Sequence, residues 1–278
     1  MDFWFSIFMG FVQGIAEFLP ISSSGHLAIM HNFFGEMFAD MTPQEELLFD
    51  ILVHLATLLA VFVAFWRDIK GIIAAFFGFF TPKGRQDAAA MPARRFVLLL
   101  IAATLPLCLV LFFHRAVDEL MRNMYFVGGM LLVTACLLFL ADRLKPGRKT
   151  EKSARFSDAL FVGFMQVLAV FPGLSRSGAT ISAGMIRGYD RAFAVKFSFL
   201  MSIPAIIAAT LLHVADAVKE GIDWGLVASF IPGMVVAAVV GYCAIILVRM
   251  LVAKGKFGAF AYYCAVVGAT VIIITAVT

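Results

Sequence analysis

The sequence predicts an all-α integral membrane protein with an inverted-topology repeat, each half a re-entrant helix hairpin plus three transmembrane helices. Three observations carry this expectation. The composition suits lipid, each of two broken apolar stretches is followed by three long unbroken ones, and the broken ones share a motif while basic residues gather on one side.

The chain is 62% hydrophobic and 14% charged, with a mean hydropathy of +0.97. A soluble domain is nearer half apolar and a quarter charged. The 278 residues leave room for six to eight membrane segments and no separate soluble domain. One membrane domain over 1–278 is expected, with repeats over about 1–142 and 157–278. No basic run precedes the first apolar stretch, so no cleaved signal peptide is expected. Cys108, Cys136, Cys243 and Cys264 all lie in apolar stretches without a C-x-x-C pair and are expected to be small buried residues.

Six stretches are long and apolar enough to span: 47–66, 96–113, 124–141, 193–214, 226–248 and 258–277. Two others, 3–34 and 157–188, are interrupted by Pro and a Ser/Gly cluster. A broken helix at membrane depth survives only where its freed backbone faces protein or a water-filled cavity. The two breaks are copies of each other. At an offset of 153, Gly10, Phe11, Gln13, Ala16, Phe18, Ser22, Ser24 and Gly25 recur as identical residues.

Charge sets the orientation. The connections 67–95, 142–156, 187–196 and 249–256 hold 6, 6, 3 and 3 Lys/Arg, whereas the opposite connections hold only Arg115, Arg122 and Lys219. Basic loops stay in the cytoplasm, which puts the acidic stretch Glu36–Asp50 outside. With 47–66 running inward, 96–113 runs outward and 124–141 inward. Both 157–188 and 193–214 then start inside, so 157–188 must enter and return as a hairpin. By the same count, 3–34 enters from outside and returns there. The halves have opposite topology, and their broken tips are expected to meet near the midplane.

The chemistry-bearing residues sit in those tips. Glu17 follows Gln13 by one helical turn, so the two share a face. An ionisable group at that depth is expected to be functional, as a general base or as a partner for a metal or His. Ser22, Ser23 and Ser24 exceed what one helix cap requires, and Ser175 and Ser177 repeat the pattern. Helix N-termini bring free N–H groups and a positive dipole end, so two facing each other would cradle a dianion. Arg176 is the only Lys or Arg inside the predicted hydrocarbon region. It can form a structural ion pair with Glu17 or a bidentate clamp on phosphate. His26, three residues after Ser23, can be a nucleophile, an acid/base or a structural residue. His54 reads as structural, and His31, His114 and His213 are assigned no role. Walker, Rossmann, zinc and G-x-S-x-G patterns are absent.

The run Glu17-Phe18-Leu19-Pro20-Ile21-Ser22-Ser23-Ser24-Gly25-His26 resembles the E-F-L-P-x-S-S-[ST]-G-H motif of bacterial undecaprenyl-diphosphate phosphatases, the BacA/UppP family. Pro172-Gly173-Leu174-Ser175-Arg176-Ser177-Gly178-Ala179-Thr180 is similar to that family's P-G-x-S-R-S-x-x-T motif, and Phe197-Ser198-Phe199-Leu200 with Pro204 adds to the likeness. The resemblance implies hydrolysis of undecaprenyl diphosphate to the monophosphate that carries cell-wall precursors, with resistance to bacitracin. It implies the bacterial inner membrane, a polyprenyl diphosphate as ligand, no nucleic acid, and room for a homodimer, while the outside-entering first hairpin and the charge count put the site on the periplasmic side. A divalent cation, Mg or Ca, is expected from the family, with Glu17 as its candidate ligand. Glu17, Ser23, His26 and Arg176 match positions described as catalytic. Ser175, Ser177 and Thr180 match phosphate-binding positions, and we group Gln13, Ser22 and Ser24 with them. Many members carry Glu where this chain has Gln13, although the family pattern permits Gln, so this chain offers one carboxylate at that turn and not two. In the implied reaction Ser23 attacks phosphorus, helped by Glu17 or His26, with a His26 nucleophile or direct attack by water as alternatives. Inverted repeats with broken helices also suit a transporter, so flipping of the polyprenyl phosphate carrier is the competing reading.

Overall fold

A computed structural model describes residues 3–38, 41–82, 90–221 and 224–277. Asp40 of the acidic stretch, and Lys83 and Arg85 of the first basic connection, lie outside them. Among the described residues the regular structure is helical, apart from one isolated bridge between Lys149 and Tyr189, with turns and irregular segments between the helices. We number the helices α1 (Phe3–Phe18), α2 (Ser23–Phe33), α3 (Pro43–Ala64), α4 (Trp66–Gly78), α5 (Met91–Thr104), α6 (His114–Leu120), α7 (Met124–Arg143), α8 (Phe156–Leu168), α9 (Arg176–Ile186), α10 (Arg191–Glu220), α11 (Val227–Ala253) and α12 (Ala259–Val277). Among the described residues, six stretches are long and apolar enough to cross a membrane: Pro43–Ala64, Met91–Phe112, Met124–Arg143, Arg191–Lys219, Val227–Ala253 and Ala259–Val277. Each overlaps a span expected from sequence. The helices α1 and α8 are apolar but shorter, with 16 and 13 residues.

Local chemistry sets the helix ends. Thr42 caps α3 with a capping box: its backbone N–H donates to Glu45 Oε2 at 2.8 Å, and the Glu45 N–H donates to Thr42 Oγ1 at 3.2 Å. Pro43 follows at a position where its missing N–H costs nothing. Asn123 and Asp190 cap α7 and α10 through their side chains, and Gly221 stops α10 in the left-handed conformation. Pro204 and Pro232 lie inside α10 and α11, as membrane helices tolerate.

Two packings position the breaks. The helix α1 lies against α11, and α8 lies against α5. In both cases a glycine of the repeated motif makes the contact. A Cβ at Gly10 would collide with the Gly233 carbonyl, and one at Gly163 with the Ala103 carbonyl. Tertiary packing, α7 on α12 and α3 on α11 included, leaves the other faces apolar. Trp4, Phe112 and Tyr262 are among the large side chains exposed there, as lipid-facing helices require.

At the basic end of the bundle, Asp158 is fully buried and ties the chain together. Lys149 Nζ and Arg187 Nε donate to it at 2.9 and 2.8 Å, and the Arg155 N–H at 2.9 Å. Burial works against ionisation of Asp158, but these hydrogen bonds outweigh it and hold the carboxyl below the usual carboxylate range.

The cysteines correct the sequence expectation. Only Cys264 is buried; Cys108, Cys136 and Cys243 are exposed. They lie on the outward surface of apolar helices, where a small apolar residue also suits lipid.

Candidate active site

Each broken segment ends one helix and opens another with a serine cap. Ser22 Oγ accepts the Gly25 N–H at 3.1 Å, and Ser175 Oγ accepts the Gly178 N–H at 3.1 Å. The offset of 153 therefore holds for the hydrogen bonds as well as for the letters. Ser22 and Ser24 hydroxyls lie 3.3 Å apart, as do those of Ser175 and Ser177. The two copies differ in strain. Ser22 has φ 72°, a conformation costing about 1–3 kcal/mol for a non-glycine, whereas Ser175 has φ −66°. The second break is pinned to α7: Thr134 Oγ1 accepts the Ser175 N–H at 3.0 Å and donates to the Gly173 carbonyl at 3.0 Å. Gly173 is required there, because its φ is 94° and a Cβ would strike the Val127 carbonyl.

The breaks meet at Glu17, in the last turn of α1 and only 7% exposed. Arg176 Nη2, at the first turn of α9, ion-pairs with Glu17 Oε1. Ser23 Oγ donates to Glu17 Oε2 at 2.9 Å, and Gln13 Nε2 donates to the same oxygen at 3.1 Å. Arg176 Nη1 is buried without a hydrogen-bond partner. The pair therefore engages one arm of the guanidinium fork and leaves the other unused.

A cavity of about 310 Å³ opens beside this junction. Its polar wall contains Glu17, Ser22, Ser23, Ser24, Ser175 and Arg176, and its remaining wall is largely apolar, with Leu107, Val110 and Leu111 facing Ala205, Ala208 and Leu212. The apolar part comes from a 3-10 stretch, Leu105–Phe112, that continues α5, and from α10. One compartment therefore offers anion contacts at one side and hydrocarbon at the other.

Not every expected residue is brought there. His26 lies outside the cavity wall: its Nδ1 is 2.8 Å from the Ser22 carbonyl, its Nε2 is 2.7 Å from Tyr263 Oη, and its ring stacks on Tyr263. Ser177 and Thr180 are also outside that wall. Thr180 Oγ1 donates to the Arg176 carbonyl at 2.8 Å and lies 2.6 Å from Ser198 Oγ, bracing α9 against α10. Gln13 supports Glu17 from behind the wall.

Two cavity residues escaped the sequence assignment. His54, on α3, lines the cavity. The signal was available, because Asp50 precedes it by one helical turn inside an apolar span. Gln166 lines the cavity too, is 1% exposed, and neither amide atom has a partner. It is one of the eight repeated identities, the counterpart of Gln13. A buried amide without partners costs free energy unless a ligand satisfies it.

The donor set does not by itself build a cation site. Among the described residues no three His, Cys, Asp or Glu side chains are gathered for a metal. Glu17 is the only carboxylate on the cavity wall, and both its oxygens are engaged.

A serine–carboxylate–arginine junction in an amphiphilic cavity, set among helices able to cross a membrane, defines a multi-pass membrane protein equipped for phosphoryl chemistry. The chain belongs to the bacitracin resistance protein BacA family, which matches residues 6–270. It is 38% identical to an undecaprenyl-diphosphatase of Methanosphaera stadtmanae, over 100% of this chain and 99% of the relative. An undecaprenyl-diphosphatase of Halothermothrix orenii is 35% identical over 100% of both chains, and one of Carboxydothermus hydrogenoformans 38% over 99% and 98%.

Proposed function

We propose that this protein is a membrane phosphatase that hydrolyses undecaprenyl diphosphate to undecaprenyl phosphate and inorganic phosphate. The reaction recycles the cell-wall lipid carrier and accounts for the family's bacitracin resistance. The observation that carries the reading is the convergence of Ser23, Glu17 and Arg176 on a cavity with one apolar wall. A diphosphate head and a prenyl tail match those two surfaces.

Arg176, the N-terminus of α9 and the serines of both breaks hold the diphosphate. The free Nη1 of Arg176 and the unpartnered amide of Gln166 are the buried groups that this ligand would satisfy. Glu17, already bonded to Ser23 Oγ, takes its proton as Oγ attacks the terminal phosphorus. Much of the acceleration comes from positive groups placed where charge shifts during transfer. His26 serves as a structural brace for the first break. The expected divalent cation would arrive with the diphosphate, and no step here passes through it.

The repeat gives this site its form. We read α1–α2 and α8–α9 as re-entrant hairpins of opposite topology in repeats 1–142 and 157–278. The exchanged packing of α1 on α11 and α8 on α5 supports this, because each hairpin lies on the second span of the other half. With the basic loops in the cytoplasm of the inner membrane, the cavity faces the periplasm. Ser24→Cys in a cysteine-free background should therefore react with an impermeant thiol reagent in cells whose outer membrane is permeabilised. Labelling only from the cytoplasmic side sinks the orientation.

Purified protein should release phosphate from undecaprenyl diphosphate, which a carrier that only flips lipid would not do. Ser23→Ala should depress the single-turnover rate far more than Ser22→Ala or Ser24→Ala. Loss of the Ser22 cap costs about 1 kcal/mol of stability, whereas Ser23 is the serine that bonds Glu17. A near-normal single-turnover rate for Ser23→Ala would make it a binding residue and leave water as the nucleophile.

A further inference from the structure

We propose that His54, oriented by Asp50, is the proton acceptor for the water that completes hydrolysis. The proposal rests on the phosphatase reading above. It starts from a shortage of bases. A serine route needs a second acceptor, because Glu17 holds the serine proton after the first step. The neighbouring position that could supply another carboxylate is Gln13, whose amide cannot take a proton.

The contacts of His54 distinguish its two ring nitrogens. Glu17 is an acceptor, so the Gln13 atom 3.1 Å from it is Nε2, a donor. The same Nε2 lies 3.5 Å from His54 Nε2, so in a neutral His54 that ring nitrogen is the acceptor. On the other side, His54 Nδ1 is 2.8 Å from the Asp50 carbonyl and 3.2 Å from Asp50 Oδ1, so Nδ1 carries the hydrogen. In a neutral His54 this arrangement puts the hydrogen on Nδ1 and leaves Nε2 as the basic nitrogen of a residue that lines the cavity. Asp50 is itself held, with Oδ2 3.0 Å from His213 Nδ1 on α10. An aspartate behind a histidine fixes its tautomer and stabilises the imidazolium that forms. Asp50 is thus a positioning residue.

The step balances. A water O–H bond breaks and its proton goes to His54 Nε2. The water oxygen bonds to phosphorus of the Ser23 phosphoester while the P–Oγ bond breaks. Oγ takes back the proton held by Glu17, and inorganic phosphate leaves. The charged groups around His54 are Asp50 on its own helix, Glu17 on α1 through Gln13, Arg176 on α9 beyond Glu17, and His213 on α10 through Asp50. The only charged residue of α11 is Arg249, which lies over Phe65 near that helix's far end.

The test uses purified wild-type, His54→Gln and Asp50→Asn proteins with undecaprenyl diphosphate, measuring kcat and KM across pH. The wild-type rate should rise with pH along an acid limb. His54→Gln should lose about 10²–10⁴-fold in kcat, the range of a positioned acid or base. Its KM should stay within a few fold, its acid limb should vanish, and phosphoryl-enzyme should accumulate on Ser23. Asp50→Asn should show a smaller loss and a displaced limb. A His54→Gln enzyme with wild-type kcat, or a slow one that keeps the acid limb, overturns the proposal. Should His54→Gln not fold, an unmoved limb in Asp50→Asn overturns it instead. Wild-type protein that releases no phosphate overturns the parent reading together with this one, whereas active wild type with either contrary result overturns this one alone.

Discussion

Glu17→Gln is expected to reduce turnover by about 10²–10⁴-fold while substrate binding holds or tightens. Glutamine keeps the shape and one acceptor oxygen, so Ser23 and Gln13 retain a partner. It cannot accept the serine proton. Binding should survive because the carboxylate competes with substrate for the guanidinium: Glu17 Oε1 occupies Arg176 Nη2. Removing that charge releases the guanidinium for phosphate. The variant also leaves Arg176 without its counter-charge, and breaking a buried ion pair from one side can cost about 3–5 kcal/mol. Arg176 is 19% exposed at its side chain, so water and the bound diphosphate offset part of this. Thermal unfolding with and without a non-hydrolysable diphosphate analogue, beside kcat and KM, checks the prediction. A folded Glu17→Gln enzyme with near-normal kcat would remove Glu17 as the base.

The spans were legible because hydrocarbon imposes one length and one composition on any helix that crosses it. The stretch 124–141 became Met124–Arg143, and 193–214 became the longer Arg191–Glu220. The break sites were legible because Pro and clustered Ser disrupt a pattern that is otherwise uniform. The pairing of Gln13 with Glu17 followed from a spacing of four along one helix, and the hydrogen bond is there.

What stayed hidden depends on contacts between distant segments. Nothing local says that His26 turns to Tyr263, 237 residues away, instead of towards Ser23 and the cavity. The family motif places Thr180 at phosphate, and nothing local says that α10 brings Ser198 to its hydroxyl. For His54 the local partner Asp50 is legible one turn earlier, whereas its contact with Gln13 and the hold of His213 on Asp50 are not. Gln13 is 41 residues earlier, and His213 meets Asp50 only once α3 and α10 have packed. The 3-10 stretch Leu105–Phe112 read as an ordinary end of a span, although Pro106 marks its start and its side chains line the apolar wall of the cavity.

Arg176→Lys should be nearly as damaging as Arg176→Ala, with a loss on the order of 10²–10³ in kcat/KM, or about 3–4 kcal/mol, by analogy with the removal of one oxyanion donor. The reason lies in how the fork is divided. Nη2 ion-pairs with Glu17, and Nη1 is buried without a partner beside the cavity that Arg176 lines. One planar group can therefore stay in register with the base while it contacts phosphate. Lysine keeps the charge but presents a single point on a flexible stem, so it satisfies Glu17 or phosphate and not both in fixed geometry. The shorter reach also withdraws positive charge from the place where the transferring phosphoryl group develops its own. Alanine should differ mainly in stability, because it leaves the Glu17 carboxylate buried without its cation. Steady-state rates for both variants, compared at matched folding by thermal unfolding, test this. A folded lysine variant that keeps most of the activity would mean that Arg176 acts as a bare charge and that the fork has no part in catalysis.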